Sequence, residues 1–497
     1  MPRVPLFSGT SIVVAGTDDA VVLRPPRPGR GTDVEAATRE ALRFPLEGPS
    51  LEALARGAGR ATIVVEPPAL PIPQLALDPR QRAIATVVAA LEELGITSER
   101  QTLLVACGLM RRTSERWLPG LVTPELARRF RGRAVVHDAE DPDLAELADG
   151  PPPLRVAREL VETDLVVVVS SAESVLHGGP STLLAAAGTQ AQRHSTAYSL
   201  LETAGSGGWR LATRLESALV DRVPLLGVSL VLNHPQLTGL LRGYPYEEEA
   251  AERIVRSPLR HAYGSVPAFV RRGILRRLSA ERTTSAVLAG RPSVAHAEAL
   301  LRTIELRGTS LDEPLDAVVV GTPGTTPFLP RESPNPLVAA HLGLAHALGL
   351  WRDSFPVADG GVAIVVSGFR RTFPRPTQQP YHAFFRSDSV ARDPKLLAEA
   401  EAAAASDVRA VEEYRAGRTV HPLLPFRDWD ACRPALERLG SVYVAGARDA
   451  TAVRQLGFVP IGGVGAALQM ARGEAGPEAR IGFLLTPPYF PLKVGGG

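Results

Sequence analysis

Short runs of apolar, β-branched residues separated by amphipathic stretches constrain the fold of this chain most strongly. The first half contains five such runs: ATIVV at 61–65, TLLVA at 102–106, RAVVH at 133–137, LVVVVSS at 165–171 and LLGVSLVL at 225–232. A strand that is apolar on both faces is typical of a parallel sheet covered by helices on both sides. The intervening segments, such as QRAIATVVAALEELG, have helical periodicity. The sequence therefore predicts consecutive βαβ units.

A second series of the same kind follows a charged, helical stretch. Its strand-like runs are DAVVVGTPG at 316–324, GVAIVVSG at 361–368, SVYVAGA at 441–447 and IGFLLTPP at 481–488. We therefore predict an α/β fold with two Rossmann-like domains, at 1–245 and 311–497, that contain mostly parallel sheets. A helical segment at 246–310 is predicted to join them. In open α/β sheets ligands bind beyond the carboxyl ends of the strands, so a small-molecule ligand is expected in the cleft between the domains.

The scarcity of lysine excludes several kinds of chemistry. Of the 55 basic residues only Lys395 and Lys493 are lysines. A phosphate-binding loop that ends in Gly-Lys-Ser/Thr is therefore absent, and no lysine in the first 394 residues can form a Schiff base or another covalent anchor. A formal net charge of +2 argues against a nucleic-acid partner. The basic run RRGILRRLSAER contains no aromatic residue and is interpreted as a solvated helix face.

Cysteine content and hydropathy indicate the cellular compartment that we expect for the protein. Cys107 and Cys432 are too few for a disulfide framework or a thiolate metal cluster. The N-terminal residues lack the apolar stretch and cleavage site of a signal peptide, and no apolar run approaches the ~18 residues that span a bilayer. We therefore expect a cytoplasmic protein without a membrane partner, whose oligomeric state the sequence leaves open.

Histidines are the most informative candidates for chemistry, because the chain has no GxSxG, HExxH or CxxC motif. His137 directly follows a predicted strand, His177 begins the stretch HGGPST after the most apolar strand, and His194 follows 17 residues later. A histidine at such a position can act as a general acid or base or bind a metal. The alternative for each is a structural hydrogen bond to the backbone. His341 and His346 lie in an alanine- and leucine-rich helix, where a core or interface role is expected.

The order of these segments resembles the nickel-dependent lactate racemase family and its 2-hydroxy-acid racemase and epimerase relatives. The resemblance extends over most of the chain and depends on the combined order and spacing of its segments. They include RFPLEGPSLEALARGAGRATIVVEPPALPIP, LLVACGLMRRT, VVHDAED, RVARELVETDLVVVVSSAESVLHGGPS, GVSLVLNHPQLTGLLRGYPYEEEAAERI, DAVVVGTPGTTP and GARDATAVRQLGFVPIGGVGAALQMARG.

The resemblance implies an isomerase that contains a nickel pincer nucleotide between two α/β domains. It assigns His177 as a candidate catalytic residue and His194 as the nickel ligand, and His137 is a further candidate catalytic residue because of its position at the end of a predicted strand. Candidate cofactor-binding residues are Gly178, Gly179, Ser181 and His341. His177 matches the family's catalytic histidine only if a deletion precedes it. Ser181 occupies the position of the family's anchoring lysine, so lysine cannot attach the cofactor covalently, and the cofactor is expected to be non-covalent or absent.

Several polar residues of the family are replaced in this chain. The family's Asp-x-x-Arg-Pro turn corresponds to 67–71, which reads PPALP, and Glu66 is the nearest carboxylate. Met110 stands where the family has an acid–base histidine. The first hypothesis is therefore a divergent racemase or epimerase that acts on a small hydroxylated substrate other than lactate. The alternatives are a non-catalytic relative that binds a ligand or partner in the cleft, and metal-assisted hydrolysis at His137, His177 and His194.

Overall fold

The structure of the protein is a computed structural model. It describes residues 3–68, 75, 78–112, 118–324, 334–373, 376–386 and 393–495. Within these ranges, every helix falls short of the length and apolarity that a membrane-spanning helix requires.

The strands are short and are distributed along the whole chain. They are Val4–Ser8 (β1), Ser11–Ala15 (β2), Val21–Leu23 (β3), Ala61–Val65 (β4), Gln101–Val105 (β5), Arg133–Val136 (β6), Ala145–Ala148 (β7), Leu154–Val156 (β8), Val166–Ser171 (β9), Leu225–Leu232 (β10), Gln236–Leu237 (β11), Ala280–Glu281 (β12), Thr284–Gly290 (β13), Thr309–Leu311 (β14), Leu315–Gly321 (β15), Trp351–Arg352 (β16), Val357–Val366 (β17), Ser441–Ala445 (β18), Val459–Ile461 (β19), Ile481–Leu484 (β20) and Leu492–Val494 (β21).

The helices alternate with these strands. They are Val34–Arg43 (α1), Leu51–Ala55 (α2), Pro79–Glu93 (α3), Leu118–Leu121 (α4), Pro124–Arg129 (α5), Pro180–Leu184 (α6), Thr189–Gln192 (α7), Gly207–Val220 (α8), Glu248–Arg256 (α9), Pro258–Ser265 (α10), Ala268–Arg277 (α11), Pro292–Arg307 (α12), Pro336–Ala340 (α13), Gln379–Phe384 (α14), Pro394–Ala405 (α15), Val408–Arg415 (α16), Leu424–Asp430 (α17), Arg433–Leu436 (α18), Ala450–Gln455 (α19) and Val464–Ala475 (α20). A π-helical stretch, His341–Ala347, continues directly from α13.

The first large sheet has six strands in the order β13-β10-β9-β4-β5-β6. All neighbours pair in parallel except β13, which is antiparallel to β10. Alternate residues of β9 belong to different apolar clusters: Val166 and Val168 pack with α6 and α8, whereas Val167 and Val169 pack with α3. Burial of both faces explains why β9 is apolar throughout.

The second large sheet also has six strands, in the order β19-β18-β17-β15-β20-β3, and every pair is parallel. Its two faces again carry separate apolar clusters. The mixed α/β class with two parallel-rich sheets, predicted from the sequence, is confirmed.

Two sets of strands join a sheet from outside the segment in which the sequence placed them. β3, from the first 23 residues, pairs with β20 of the second sheet, and Val4 and Leu6 of β1 pack into a cluster of that sheet. β13 lies within the predicted helical segment 246–310 but completes the first sheet. In that segment only α9, α10 and α11 form a run of consecutive helices. The chain therefore crosses between the two sheets more often than its apolar pattern indicates.

Hydrogen bonds connect the loops beyond the first sheet to the helices around the second. The Tyr414 hydroxyl on α16 donates to the Gly108 carbonyl at 2.9 Å, and the neighbouring Arg415 lies 3.1 Å from the Asp138 carboxylate. His421 Nε2 lies 3.0 Å from Glu140 Oε1. These contacts hold the carboxyl end of the first sheet against the second half of the chain.

We predict that Gly227→Ala destabilises the protein by about 1–3 kcal/mol, the usual effect of overpacking a core. Gly227 lies on β10, and a Cβ atom there would come within 2.5 Å of the Pro292 backbone at the start of α12. Gly273→Ala on α11 is the matched control, because its Cβ would meet open space and alanine favours a helix by ~1 kcal/mol. Urea unfolding of both variants measures the effect. Equal stabilities would contradict the close approach of α12 to the sheet.

Candidate functional site

A cavity of about 290 Å³ lies where the carboxyl end of the first sheet faces helices of the second half. One wall follows β4, β5 and β9, and it includes Glu66 and His177. The strand order reverses between β4 and β9, which makes this place the topological switch point of the sheet. The facing wall is formed by α13, the π-helical stretch and α17. The cavity is therefore in the crevice where ligands bind in doubly wound folds.

His177 lies in a tight turn whose shape depends on two glycines. Gly178 and Gly179 have φ values of +92° and +53°, which side chains with a Cβ atom rarely adopt. The His177 ring lines the cavity and forms no hydrogen bond with any described residue. Burial, and then the nearby Arg427 cation, lower the pKa of His177 to about 4. The imidazole is consequently neutral near pH 7 and can accept a proton.

The π-helical geometry brings two further histidines together on the facing wall. Residues five apart lie one above the other in a π-helix, and the rings of His341 and His346 are 4.7 Å apart between centroids. His341 Nδ1 lies 3.1 Å from the Asp428 carbonyl oxygen, to which it donates. Burial holds the pKa of His346 well below its usual value, and its Nδ1 has no hydrogen-bond partner.

Arg427 on α17 is a half-buried cation that forms no ion pair with any described acidic residue. Its guanidinium group forms no ion pair or hydrogen bond with any described residue, and it lines the same cavity as His177. Burial lowers its pKa, although Asp428 opposes that effect. Buried charges are normally paired because desolvation is costly. An unpaired guanidinium at a cavity wall is suited to bind an anionic ligand, above all a carboxylate.

The pKa of the Glu66 carboxyl group is raised, whereas the pKa values of His177 and Arg427 are lowered. It lines the cavity directly after β4. Burial, and then repulsion by Glu173, raise the pKa of Glu66 to about 8, against the attraction of the Arg80 cation. Glu173 itself remains ionised because Arg282 lies 3.2 Å away in a fully buried ion pair. Near pH 7 Glu66 is therefore protonated, while His177 is neutral.

The other predicted catalytic and metal residues lie outside the cavity lining. His137 is buried, its Nε2 lies 2.9 Å from the Ala187 carbonyl oxygen, and burial lowers its pKa to about 4. His194 is exposed, with Nδ1 2.9 Å from the Gln190 carbonyl oxygen. The structure thus brings together His177, His341 and Ser181 among the predicted site residues and separates them from His137 and His194. In the described ranges, no three His, Cys, Asp or Glu side chains are arranged to hold a metal ion.

The segment 177–181, called the glycine loop because it contains Gly178 and Gly179, does not fit the nickel nucleotide that the family resemblance implies. The Ser181 hydroxyl, at the anchor position, donates to the Val175 carbonyl at 2.8 Å. The Gly179 amide donates to Ser170 Oγ at 2.8 Å. The space that Cβ atoms on Gly178 and Gly179 would occupy is filled by the His296 side chain. A loop whose amides are already bonded, and whose glycines pack against a histidine, offers no cradle for a phosphate group.

Comparison with known proteins agrees with this architecture. Residues 8–178 match the family model of the lactate racemase N-terminal domain. The resemblance inferred from the sequence is confirmed over these residues.

Solved structures extend the likeness in fold to the whole chain. The lactate racemase apoprotein from Thermoanaerobacterium thermosaccharolyticum superposes with a TM-score of 0.60 at 15% identity, and the match covers 99% of each chain. A protein from Thermotoga maritima matches with a TM-score of 0.49 at 12% identity, over 94% of this chain and 99% of its own. No curated protein sequence matches the chain. The lactate racemase likeness at this identity establishes the fold.

Three cavity residues were not identified as functional from the sequence. Arg427 lies in the segment LPFRDWD, where nothing in the local pattern distinguishes it from other arginines. His346 was assigned a core or interface role, and it is buried but also lines the cavity. Glu66 was noted only as the carboxylate nearest the altered turn. The part of that turn at 69–71 lies outside the described residues. The position of Glu66 at the end of a strand beside the switch point was the available signal.

We predict that His177→Asn makes stability less dependent on pH between about 4 and 6.5. The folded pKa of about 4 lies below the unfolded value of about 6.5, so the unfolded chain binds one more proton in this window. Stability contributed by neutral His177 is present above pH 6.5 and is lost as the pH falls. Removing the histidine should reduce the slope by up to about 1.4 kcal/mol per pH unit. Urea unfolding at several pH values tests this, and an unchanged slope would contradict it.

Proposed function

We propose that this protein is an acid–base isomerase that acts on a small hydroxylated carboxylate in the cavity between the two sheets. The observation that carries the proposal is the unpaired Arg427 guanidinium beside the neutral imidazole of His177. The proposal keeps the reaction class that the lactate racemase resemblance implies. It does not use the anchored nickel nucleotide, because Ser181 and the glycine loop do not fit that group.

Arg427 binds the carboxylate of the substrate in this proposal. The arginine of the family's Asp-x-x-Arg-Pro turn has no counterpart at 67–71, so another cation must neutralise the anion. Arg427 provides this cation from the second half of the chain. Its guanidinium group forms no ion pair with any described residue. Guanidinium groups bind carboxylates through two parallel hydrogen bonds, which also orient the ligand.

His177 and Glu66 divide the roles of base and acid. Their environments invert the usual order of pKa values, to about 4 for the histidine and about 8 for the carboxyl group. Pairs of groups separated in this way commonly identify the base and acid of an active site. His177 accepts a proton from the carbon next to the carboxylate, and the electron pair of that C–H bond moves into the carboxylate held by Arg427. Glu66 then supplies a proton to the same carbon.

A ligand-binding role without catalysis is the second candidate. Apolar side chains replace polar ones at several positions around the cavity, and Met110 and Val338 are examples that line it. Substitutions of this kind would preserve a pocket while removing catalytic groups. The two candidates share Arg427 as the anion-binding residue and differ in whether bound ligand exchanges hydrogen with solvent.

We predict that Arg427→Met weakens binding of 2-hydroxybutanoate by about 10- to 150-fold, which corresponds to ~1.5–3 kcal/mol for a hydrogen bond to a charged group. The same variant should unfold at a higher temperature without ligand, because a half-buried cation without an ion pair is removed. The matched control is Arg433→Gln. Arg433 also lines the cavity but pairs with Asp430 at 2.9 Å. Calorimetry and thermal unfolding measure both effects. Equal losses in the two variants would argue against an Arg427 site.

For the proposed isomerase reaction, we predict that deuterium from the solvent is incorporated at the carbon next to the carboxylate. The rate should rise above pH 4 as His177 loses its proton and fall above pH 8 as Glu66 ionises. Glu66→Gln should abolish inversion while exchange through His177 continues, and His177→Asn, which lacks the base, should abolish both exchange and inversion of the enantiomer that His177 deprotonates. Proton NMR of a panel of 2-hydroxy acids in D2O detects the incorporation.

Two outcomes would contradict the proposed reaction. Binding that depends on Arg427 but gives no deuterium incorporation would favour the non-catalytic role. Inversion of the substrate without solvent deuterium would show that the hydrogen does not pass through an exchangeable side chain.

A further inference from the structure

A second cavity, of about 840 Å³, lies where the consecutive helices α9, α10 and α11 face the hairpin formed by β1 and β2. Among the described residues, it shares no lining residue with the cavity that contains Arg427. Its volume falls within the ~300–1,000 Å³ of typical ligand pockets. The proposed isomerase reaction does not use this cavity, so a ligand bound in it would have a separate role.

Hydrogen bonds hold the helical wall of this cavity against the hairpin. The Tyr263 hydroxyl on α10 donates to the Thr10 carbonyl, at the turn between β1 and β2, at 2.7 Å. The Tyr244 hydroxyl, in the loop before α9, donates to the Pro5 carbonyl of β1 at 2.8 Å. Both walls of the cavity are therefore fixed to each other by the fold.

The interior of this cavity is largely apolar, and part of it is left uncovered. Phe7 and Ile254 contribute to the lining from a small apolar cluster. Leu259 on α10 and Ile274 on α11 also line the cavity, and they are 57% and 43% exposed. Removing such aliphatic surface from water is favourable. The interior is therefore suited to bind an alkyl chain.

Arginines dominate the charged part of the lining. Among the described residues, four arginines and one acidic residue line the cavity: Arg27, Arg242, Arg253, Arg260 and Glu247. Arg27 Nη2 lies 3.5 Å from Glu247 Oε1, whereas the other three arginines form no ion pair with any described residue. A cleft lined by charges of one sign raises the local concentration of ions of the opposite sign. The lining therefore favours a ligand with an anionic head group.

We propose that this cavity binds a single-chain amphipathic anion, such as an alkyl carboxylate. Its alkyl chain would cover the apolar residues of α10 and α11, and its head group would meet the arginines that lack an ion pair. A small inorganic anion would leave the apolar part of the lining exposed to water. A neutral hydrocarbon would leave the arginines without a counter-ion. An amphipathic anion matches both parts of the lining.

Calorimetry with decanoate, below the concentration at which it forms micelles, tests this proposal. The affinity should increase from octanoate to decanoate by about two- to fourfold for each added methylene group. Decyltrimethylammonium has the same alkyl chain with the opposite charge, and it should bind at least about tenfold more weakly than decanoate.

Two sets of arginine variants test the head-group site. The double variant Arg242→Gln/Arg260→Gln should weaken decanoate binding by about 4- to 25-fold, because each ion pair at such a site contributes about two- to fivefold. Arg277→Gln is the matched control and should bind decanoate as the wild type does. Arg277 on α11 also forms no ion pair with any described residue, but it does not line the cavity.

A second pair of variants distinguishes the cavity from the outer surface of α11. Ile274→Gln changes a residue of the lining and should weaken decanoate binding by about three- to tenfold. Phe269→Gln should retain the wild-type affinity, because Phe269 is 75% exposed on the same helix but does not line the cavity. Thermal unfolding confirms that each variant is folded.

The results that would overturn this inference differ from those that concern the isomerase. Equal binding of decanoate and decyltrimethylammonium would show that the site does not select an anion. Equal losses in Ile274→Gln and Phe269→Gln, or binding to phosphatidylglycerol vesicles without binding of monomeric decanoate, would place the contact on the outer surface. Loss of decanoate binding in Arg427→Met would place decanoate in the first cavity. Retained binding in Arg427→Met would support the second site, whatever the outcome for the proposed reaction.

Discussion

The buried ion pair between Glu173 and Arg282 is the interaction on which the candidate site depends. Its side chains are 3% and 1% exposed and 3.2 Å apart. Glu173 follows β9 and Arg282 precedes β13, so the pair fixes the loop at the switch point to a strand far along the chain. Breaking such a pair leaves an uncompensated charge and typically costs 3–5 kcal/mol. The ionised Glu173 in turn helps to keep Glu66 protonated, which sets the acid of the proposed reaction.

The glycine loop shows how a shared fold can host a different site. In this chain the loop closes on itself: Ser181 bonds to Val175, and His296 from α12 fills the space beside Gly178. The groups that would otherwise face a phosphate are used within the protein. The charge needed to hold an anion comes instead from Arg427 on the opposite wall. The likeness of residues 8–178 to the lactate racemase N-terminal domain thus concerns the scaffold, while the proposed chemistry follows from residues that line the cavity.

Much of the strand framework could be predicted from local pattern. The apolar runs at 61–65, 165–171 and 225–232 correspond to β4, β9 and β10, because strands buried on both faces must be apolar throughout. The pairing of β3 with the second sheet and of β13 with the first could not be predicted. β3 is three residues long and its Val21 pairs with Gly482, whereas β13 pairs with β10 across the intervening helices α9, α10 and α11, so no local signal specifies either pairing.

The sequence by itself determined the α/β class, the position of His177 after a buried strand and the absence of lysine from the first 394 residues. These follow from residue type and short-range periodicity. Only the tertiary structure decided which histidines share a cavity, because that depends on how strand ends and a π-helical turn meet in space. It also decided that His177 is neutral and Glu66 protonated near pH 7. Those charge states arise from desolvation and from charges brought near by folding, and neither is encoded in a residue's immediate neighbours.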